Sequence, residues 1–144
     1  MSRHKTSSDR PGRGELIVAS LVGLPAFALF FLSLLGHFTD GTPFGSVLSA
    51  VCHRIPDRTV ELPWGRMGLC ARCTGFWFGL FSGTVLAVRR VYRPPFRAGL
   101  PALTPMVADG LLQLHTAYES CNALRMSTGF LAGLGMAAMF FGKR

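Results

Sequence analysis

Leu16 to Leu35 is a run of twenty residues without a charged side chain, broken only by Ser20, Pro25 and Ser33. Coiled as a helix it rises about 30 Å, the thickness of a bilayer's hydrocarbon core. A cleaved signal peptide is the competing explanation. Its apolar stretch is usually only about 7–15 residues long and ends at a small-residue cleavage motif. Here the run is longer, and Gly36-His37-Phe38 follows it. A retained transmembrane helix is therefore expected.

Once one span is granted, the rest of the chain divides easily. Three more apolar stretches follow, Leu69–Val88, Leu100–Tyr118 and Met126–Phe141, and with the first at about 16–36 they set four expected spans. The third is the weakest, opening with Pro101 and Pro105 and carrying Asp109 near its middle. Between the first two lies an expected external loop, residues 37–68. Residues 1–14 form a basic tail, and 15–144 a single membrane domain. Only 15% of the chain is charged and 49% is hydrophobic. A soluble domain carries about a quarter charged residues, and a disordered chain is far less apolar. The fold class expected is all-α: an integral membrane four-helix bundle.

Charge orients it. The net charge of +8 raises the question of nucleic acid, but ten of the 15 Lys and Arg cluster at the ends of the apolar stretches. These are Arg3, Lys5, Arg10 and Arg13, then Arg89, Arg90, Arg93 and Arg97, then Lys143 and Arg144. With four spans all ten fall on one side, which the positive-inside rule makes cytoplasmic. The expectation is a multi-pass protein of the cell membrane with both termini inside and no nucleic-acid partner. The remaining five basic residues share the outer side with Asp40, Asp57, Glu61 and Glu119.

An internal repeat is also visible. Thr74-Gly75-Phe76-Trp77-Phe78-Gly79-Leu80 and Thr128-Gly129-Phe130-Leu131-Ala132-Gly133-Leu134 share the pattern T-G-F-x-x-G-L. Both begin at the outer side, as in two parallel helical hairpins. Gly75, Gly79 and Gly83 make one i, i+4 stripe; Gly129, Gly133 and Ala137 make another. Small residues at this spacing let helix backbones approach closely in lipid, so the second and fourth spans should touch along them.

Chemistry concentrates in two clusters. Around the loop stand Cys52-His53 and Cys70-x-x-Cys73. A C-x-x-C pair offers two thiolates to one ion, and Cys₃His is a standard set for zinc. Cys52, His53, Cys70 and Cys73 are thus metal-ligand candidates, with zinc the expected ion. Cys52 and His53 are adjacent and their side chains diverge, so one of the two can drop out. Thr42-Pro43 reads as a helix start, giving a short helix from Pro43 to Val51 that delivers Cys52. Disulfides and an exchange-active dithiol remain alternatives, because outer-face cysteines often pair and a C-x-x-C lowers thiol pKa. The second cluster is Asp109, Gln113, Glu119, Asn122 and Arg125. An acid inside a span costs about 2.5–3.5 kcal/mol to insert, so Asp109 should face the protein and find a partner; Arg72 and Arg125 are placed to reach it. Arg72, Asn122, Arg125, Glu119 and Gln113 are candidates for binding a lipid-borne or small anionic ligand. Asp109 and Arg125 are the catalytic candidates; in the alternative of a small transporter or lipid-handling scaffold Asp109 is the coupling residue, and a buried polar clamp is the plainer reading. Four short spans enclose little space, which favours a homo-oligomer.

Four motifs together resemble a known family. They are Cys52-His53-x-x-Pro56-x-Arg58-Thr59, Cys70-Ala71-Arg72-Cys73-Thr74-Gly75, Asp109-Gly110-x-x-Gln113, and Glu119-Ser120-x-Asn122-x-Leu124-Arg125-x-x-Thr128-Gly129. The chain is similar over about Val51–Gly135 to the small prokaryotic membrane proteins grouped as domain of unknown function 2085. The resemblance implies a polytopic membrane protein and carries no activity. Cys52, His53, Cys70, Cys73, Asp109, Asn122 and Arg125 fall on its motif positions. The sequence departs at Cys121, where the family tends to Asn, and at Arg54, where Gln is common; the first departure weighs against Cys121 as a site residue.

Overall fold

The computed structural model describes residues 11–39, 41–91 and 93–142. Arg3, Lys5, Arg10, Asp40, Lys143 and Arg144, all used in the charge argument, lie outside the described residues. The chain is mostly helical: α1 (Arg13–Leu34), α2 (Gly36–Thr39), α3 (Pro43–Val51), α4 (Ala71–Val88), α5 (Gly99–His115) and α6 (Asn122–Phe141). Three of these, α1, α4 and α6, are long and apolar enough to cross a membrane. Many large apolar side chains on their outer faces are exposed, among them Leu21, Leu24, Phe31, Leu131 and Phe140. That surface suits hydrocarbon rather than water.

The helices stand in a row, α1–α4–α6–α5, with α4 and α6 as the central, most extensive pair. The glycine stripes explain the centre. A Cβ added to Gly75 would strike the Met126 carbonyl, one on Gly79 the Phe130 carbonyl, and one on Gly83 the Cβ of Ala137. From the other side, Gly129 faces the Arg72 carbonyl and Gly133 the Phe76 carbonyl. The contacts advance together along both helices, so α4 and α6 are parallel and their N-termini share one rim. The outer helices run antiparallel to their neighbours. Gly23 of α1 meets Thr84 of α4, and Ser33 lies 2.8 Å from Thr74 through their hydroxyls. Gly99 at the start of α5 abuts Gly135 and Met139 near the end of α6. At the end opposite the shared rim, Glu15 pairs with Arg93 and, at 3.7 Å, with Arg90, tying α1 to the α4–α5 connection.

The segment between α1 and α4 is more ordered than a plain loop. Helix α3 spans Pro43–Val51 as its Thr-Pro start predicts. Beyond it, β1 (Glu61–Leu62) and β2 (Gly65–Arg66) form a small antiparallel hairpin, a departure from an all-α chain. Its turn needs Gly65, whose φ of 133° is closed to ordinary side chains. The segment is pinned at Gly68. A Cβ on Gly36 would fall on the Gly68 backbone, and the Gly68 N–H donates to the Ser33 carbonyl at 2.7 Å. That clamp sets the entry of α4 beside the end of α1.

Candidate metal centre

Three sulfurs meet at the shared rim. Cys52 ends α3, Cys70 caps α4 and Cys73 lies in the first turn of α4. Their Sγ atoms all lie within 4.8 Å of one another. All four cysteines are free thiols. The C-x-x-C spacing places Cys70 and Cys73 on one turn; only the path of the loop brings Cys52 to them. After His53 the chain reverses at Arg54, whose φ of 49° is uncommon for a residue with a side chain. The reversal aims the Arg54 N–H at Cys52 Sγ (3.5 Å), while the Cys70 N–H approaches it from the other side (3.4 Å). The Arg54 side chain then donates from Nε to the Gly68 carbonyl at 3.0 Å.

This setting polarises the thiols. Hydrogen bonding from the Cys70 side chain, then from that of Cys73, holds the Cys52 thiol far below its usual range, against an opposing push from burial. Cys70 is pushed up, chiefly because its own proton serves Cys52. One sulfur is thus favoured as the anion, and the Cys70 proton stays on its hydrogen bond to that sulfur until a cation displaces it. Beneath them lies an apolar floor of Leu48, Leu69, Leu29, Leu32 and Trp77. A tetrahedral zinc with bonds of about 2.3 Å wants sulfurs about 3.7 Å apart. The three sulfurs, all within 4.8 Å of one another, are therefore close enough to share one such ion. His53 is exposed and stands outside the 4.8 Å group.

In front of the sulfurs opens a cavity of about 370 Å³, lined by His53, Arg54, Arg58, Arg72, Gln113 and Arg125 together with the three cysteines. Its inner wall is the second cluster. Asp109 is 6% exposed and is ion-paired with Arg72. Gln113 donates to Asp109 at 3.1 Å and also to Ser120, whose hydroxyl lies 3.3 Å from the same Asp109 oxygen. Arg125, equally buried, donates from Nε to Ser120 at 3.1 Å and from Nη1 to Asn122 at 3.3 Å. Asn122 in turn donates to the Thr59 carbonyl at 3.2 Å, tying the loop to α6. Asp109 therefore faces the protein and is partnered. Glu119 and Cys121 are exposed, apart from this network. Sequence reasoning missed Ser120, the hub, and Arg54 and Arg58, the cavity's loop-side cations. Ser120 and Arg58 stand inside the quoted motifs, so the signal was present.

The profile of a family described as "Predicted membrane protein (DUF2085)" matches residues 52–139. That span begins at the first of the three clustered cysteines and ends within α6. An uncharacterised protein of Methanocaldococcus jannaschii is 34% identical over 131 residues, covering 78% of this chain and 84% of the relative. One from Methanothermobacter thermautotrophicus is 37% identical over 92 residues, covering 62% and 83%. No solved structure matches.

Proposed function

The chain belongs to the DUF2085 family of membrane proteins, and from that premise we propose that it is a multi-pass protein holding a zinc ion on Cys52, Cys70 and Cys73 at the outer membrane face. The observation that carries the proposal is the convergence of three thiols from two separate segments to within 4.8 Å, one of them prepared as a thiolate. Helix α5 is the fourth span, entering beside α6. The hairpins α1–α4 and α5–α6 are the two halves of an internal repeat. The exchange of glycine–carbonyl contacts between α4 and α6 supports this, since each contact recurs with its partners swapped. Both termini are cytoplasmic. The arginines of the α4–α5 connection lie at the end of the molecule opposite the cysteines, in line with the positive-inside rule.

Cys52, Cys70 and Cys73 would hold the ion, and the arginine-lined cavity opens beside them. His53, on that cavity's wall, closes the set in a structural site; an open position marks a site that acts on a bound ligand. Zinc there supplies Lewis acidity and a lowered pKa for bound water. Arg72 and Arg125 make the adjoining space suited to an anionic group, lipid-borne or free. Asp109 serves as the clamp that holds Arg72 in place rather than as a coupling residue, because its charge is already answered. A homo-oligomer fits the row of helices, whose outer faces are apolar.

One observation favours a second reading: three free thiols this close also suit thiol–disulfide exchange. Elemental analysis of the detergent-purified full chain separates the two. About one zinc per chain, lost in Cys70→Ser and Cys73→Ser, is the expected result. A metal-free protein whose thiols oxidise in pairs would replace the metal reading with the redox one.

A further inference from the structure

We infer that the cavity before the cysteines binds a phosphate dianion, free or as a monoester, clamped by Arg58 and Arg125. The inference names the ligand class of the site proposed above, yet it rests on the arginines rather than on the ion. None of the residues lining the cavity is acidic. Of its guanidinium groups, Arg72 is answered by Asp109. Arg54 stands with the sulfurs, its backbone N–H on Cys52. Two others lack a carboxylate among the described residues. Arg125 is held only by the neutral side chains of Ser120 and Asn122. Arg58, at the end of the 3-10 turn Pro56–Arg58, lines the cavity from the loop side without a side-chain partner among the described residues. Arginine stays charged at any working pH, so two positive charges face one space.

The helices add to this field. Helices α4 and α6 both begin at this rim, and neither has a side-chain hydrogen bond capping its first turn. Parallel helices present their positive dipole ends together, and such ends favour anions. A carboxylate brings one charge and two oxygens, and would leave one guanidinium unanswered. A phosphate monoester brings nearly two charges and three terminal oxygens, enough for both forks at once. A phosphodiester brings only one charge. The volume, about 370 Å³, lies within the range of small-ligand sites. The rim position leaves two sources open to the same chemistry: free phosphate, or the headgroup of phosphatidic acid.

The test uses the full chain, chelator-treated and zinc-loaded. Inorganic phosphate is titrated into detergent-purified protein by calorimetry. A second arm repeats the titration in phosphatidylcholine nanodiscs with and without phosphatidic acid. Saturable one-to-one binding is expected. It should weaken about tenfold or more in Arg58→Gln, the loss of a charge-assisted fork. It should also weaken from pH 7.5 to 5.5, as the phosphate dianion takes up a proton and loses one of its two charges. Competition by phosphatidic acid identifies the lipid source; undiminished phosphate binding in its presence identifies the free anion. If Arg58→Gln fails to fold, Arg58→Lys, which keeps charge but not the fork, must bind severalfold more weakly. No saturable binding in either arm, or equal binding by folded wild type and variant, overturns the inference. Zinc bound without phosphate would refute only this inference, and phosphate bound without zinc would refute only the metal reading.

Discussion

Replacing Gly133 by alanine, the smallest change available, should loosen the α4–α6 pair across its whole length. The added Cβ would stand 2.6 Å from the Leu80 amide nitrogen and 3.0 Å from the Gly79 carbonyl carbon, and closer still to the Phe76 carbonyl oxygen. These are backbone atoms of a facing helix, so no rotamer change makes room. Ordinary contact begins near 3.4 Å, which requires the helices to part by about 0.8 Å or more. Gly75, Gly79, Gly83 and Gly129 are set equally close, so the separation spreads along the interface. A gap of 0.5–1 Å forfeits roughly a quarter to a half of each dispersion contact. Overpacking of this kind costs about 1–3 kcal/mol and sometimes more. Against it stands the gain of about 1 kcal/mol for alanine over glycine in a helix. A net loss of about 1 kcal/mol, reaching about 2 at the upper end, is expected, a fall in the melting midpoint on the order of 4 °C. Gly110→Ala is the internal control: its Cβ would meet only Arg72 Nη1 at 3.7 Å, and the helix gain should stand alone. Thermal unfolding of both variants in one detergent decides it. A Gly133→Ala protein as stable as Gly110→Ala would refute the close-packing argument.

Removing one member of the Arg72–Asp109 pair should cost about 3 kcal/mol, the low end for a buried pair because Arg72 retains some solvent contact. Chemical denaturation should show the double variant Arg72→Met/Asp109→Leu recovering much of that loss; additive losses would show the two do not act as a pair. Cys52 is held below its usual range, so it is already anionic at pH 6. Its modification by a small methanethiosulfonate reagent should change less than about tenfold between pH 6 and 8, where an ordinary thiol gains about a hundredfold; a hundredfold rise at Cys52 would contradict the hydrogen-bonded thiolate. Reporter fusions after Val91 and after Arg144 should read as cytoplasmic and one at Gly45 as external. Disagreement between the first two would remove α5 from the count of spans.

What the sequence determines by itself is local and periodic. The apolar run from Leu16 fixes a membrane helix, because backbone groups in lipid must bond within their own segment. Thr42-Pro43 marks the start of α3, and the i, i+4 glycines mark the faces on which α4 and α6 meet. The C-x-x-C spacing sets two thiols on one turn without reference to anything else in the chain. Helix α6 begins at Asn122, ahead of the apolar stretch that opens at Met126, and Arg125 inside it turns inward to Ser120 and Asn122. Hydropathy treats a charged residue as a boundary, and only its partners show that it lies inside. The choice between Cys52 and its neighbour His53 belongs to tertiary structure as well. The chain reverses at Arg54, and Gly36 admits the Gly68 backbone close enough to hold the loop over the top of α4. The cavity with Arg58 on one wall and Arg125 on the other exists only once that loop is seated, since its two sides are contributed by segments separated along the chain by two helices.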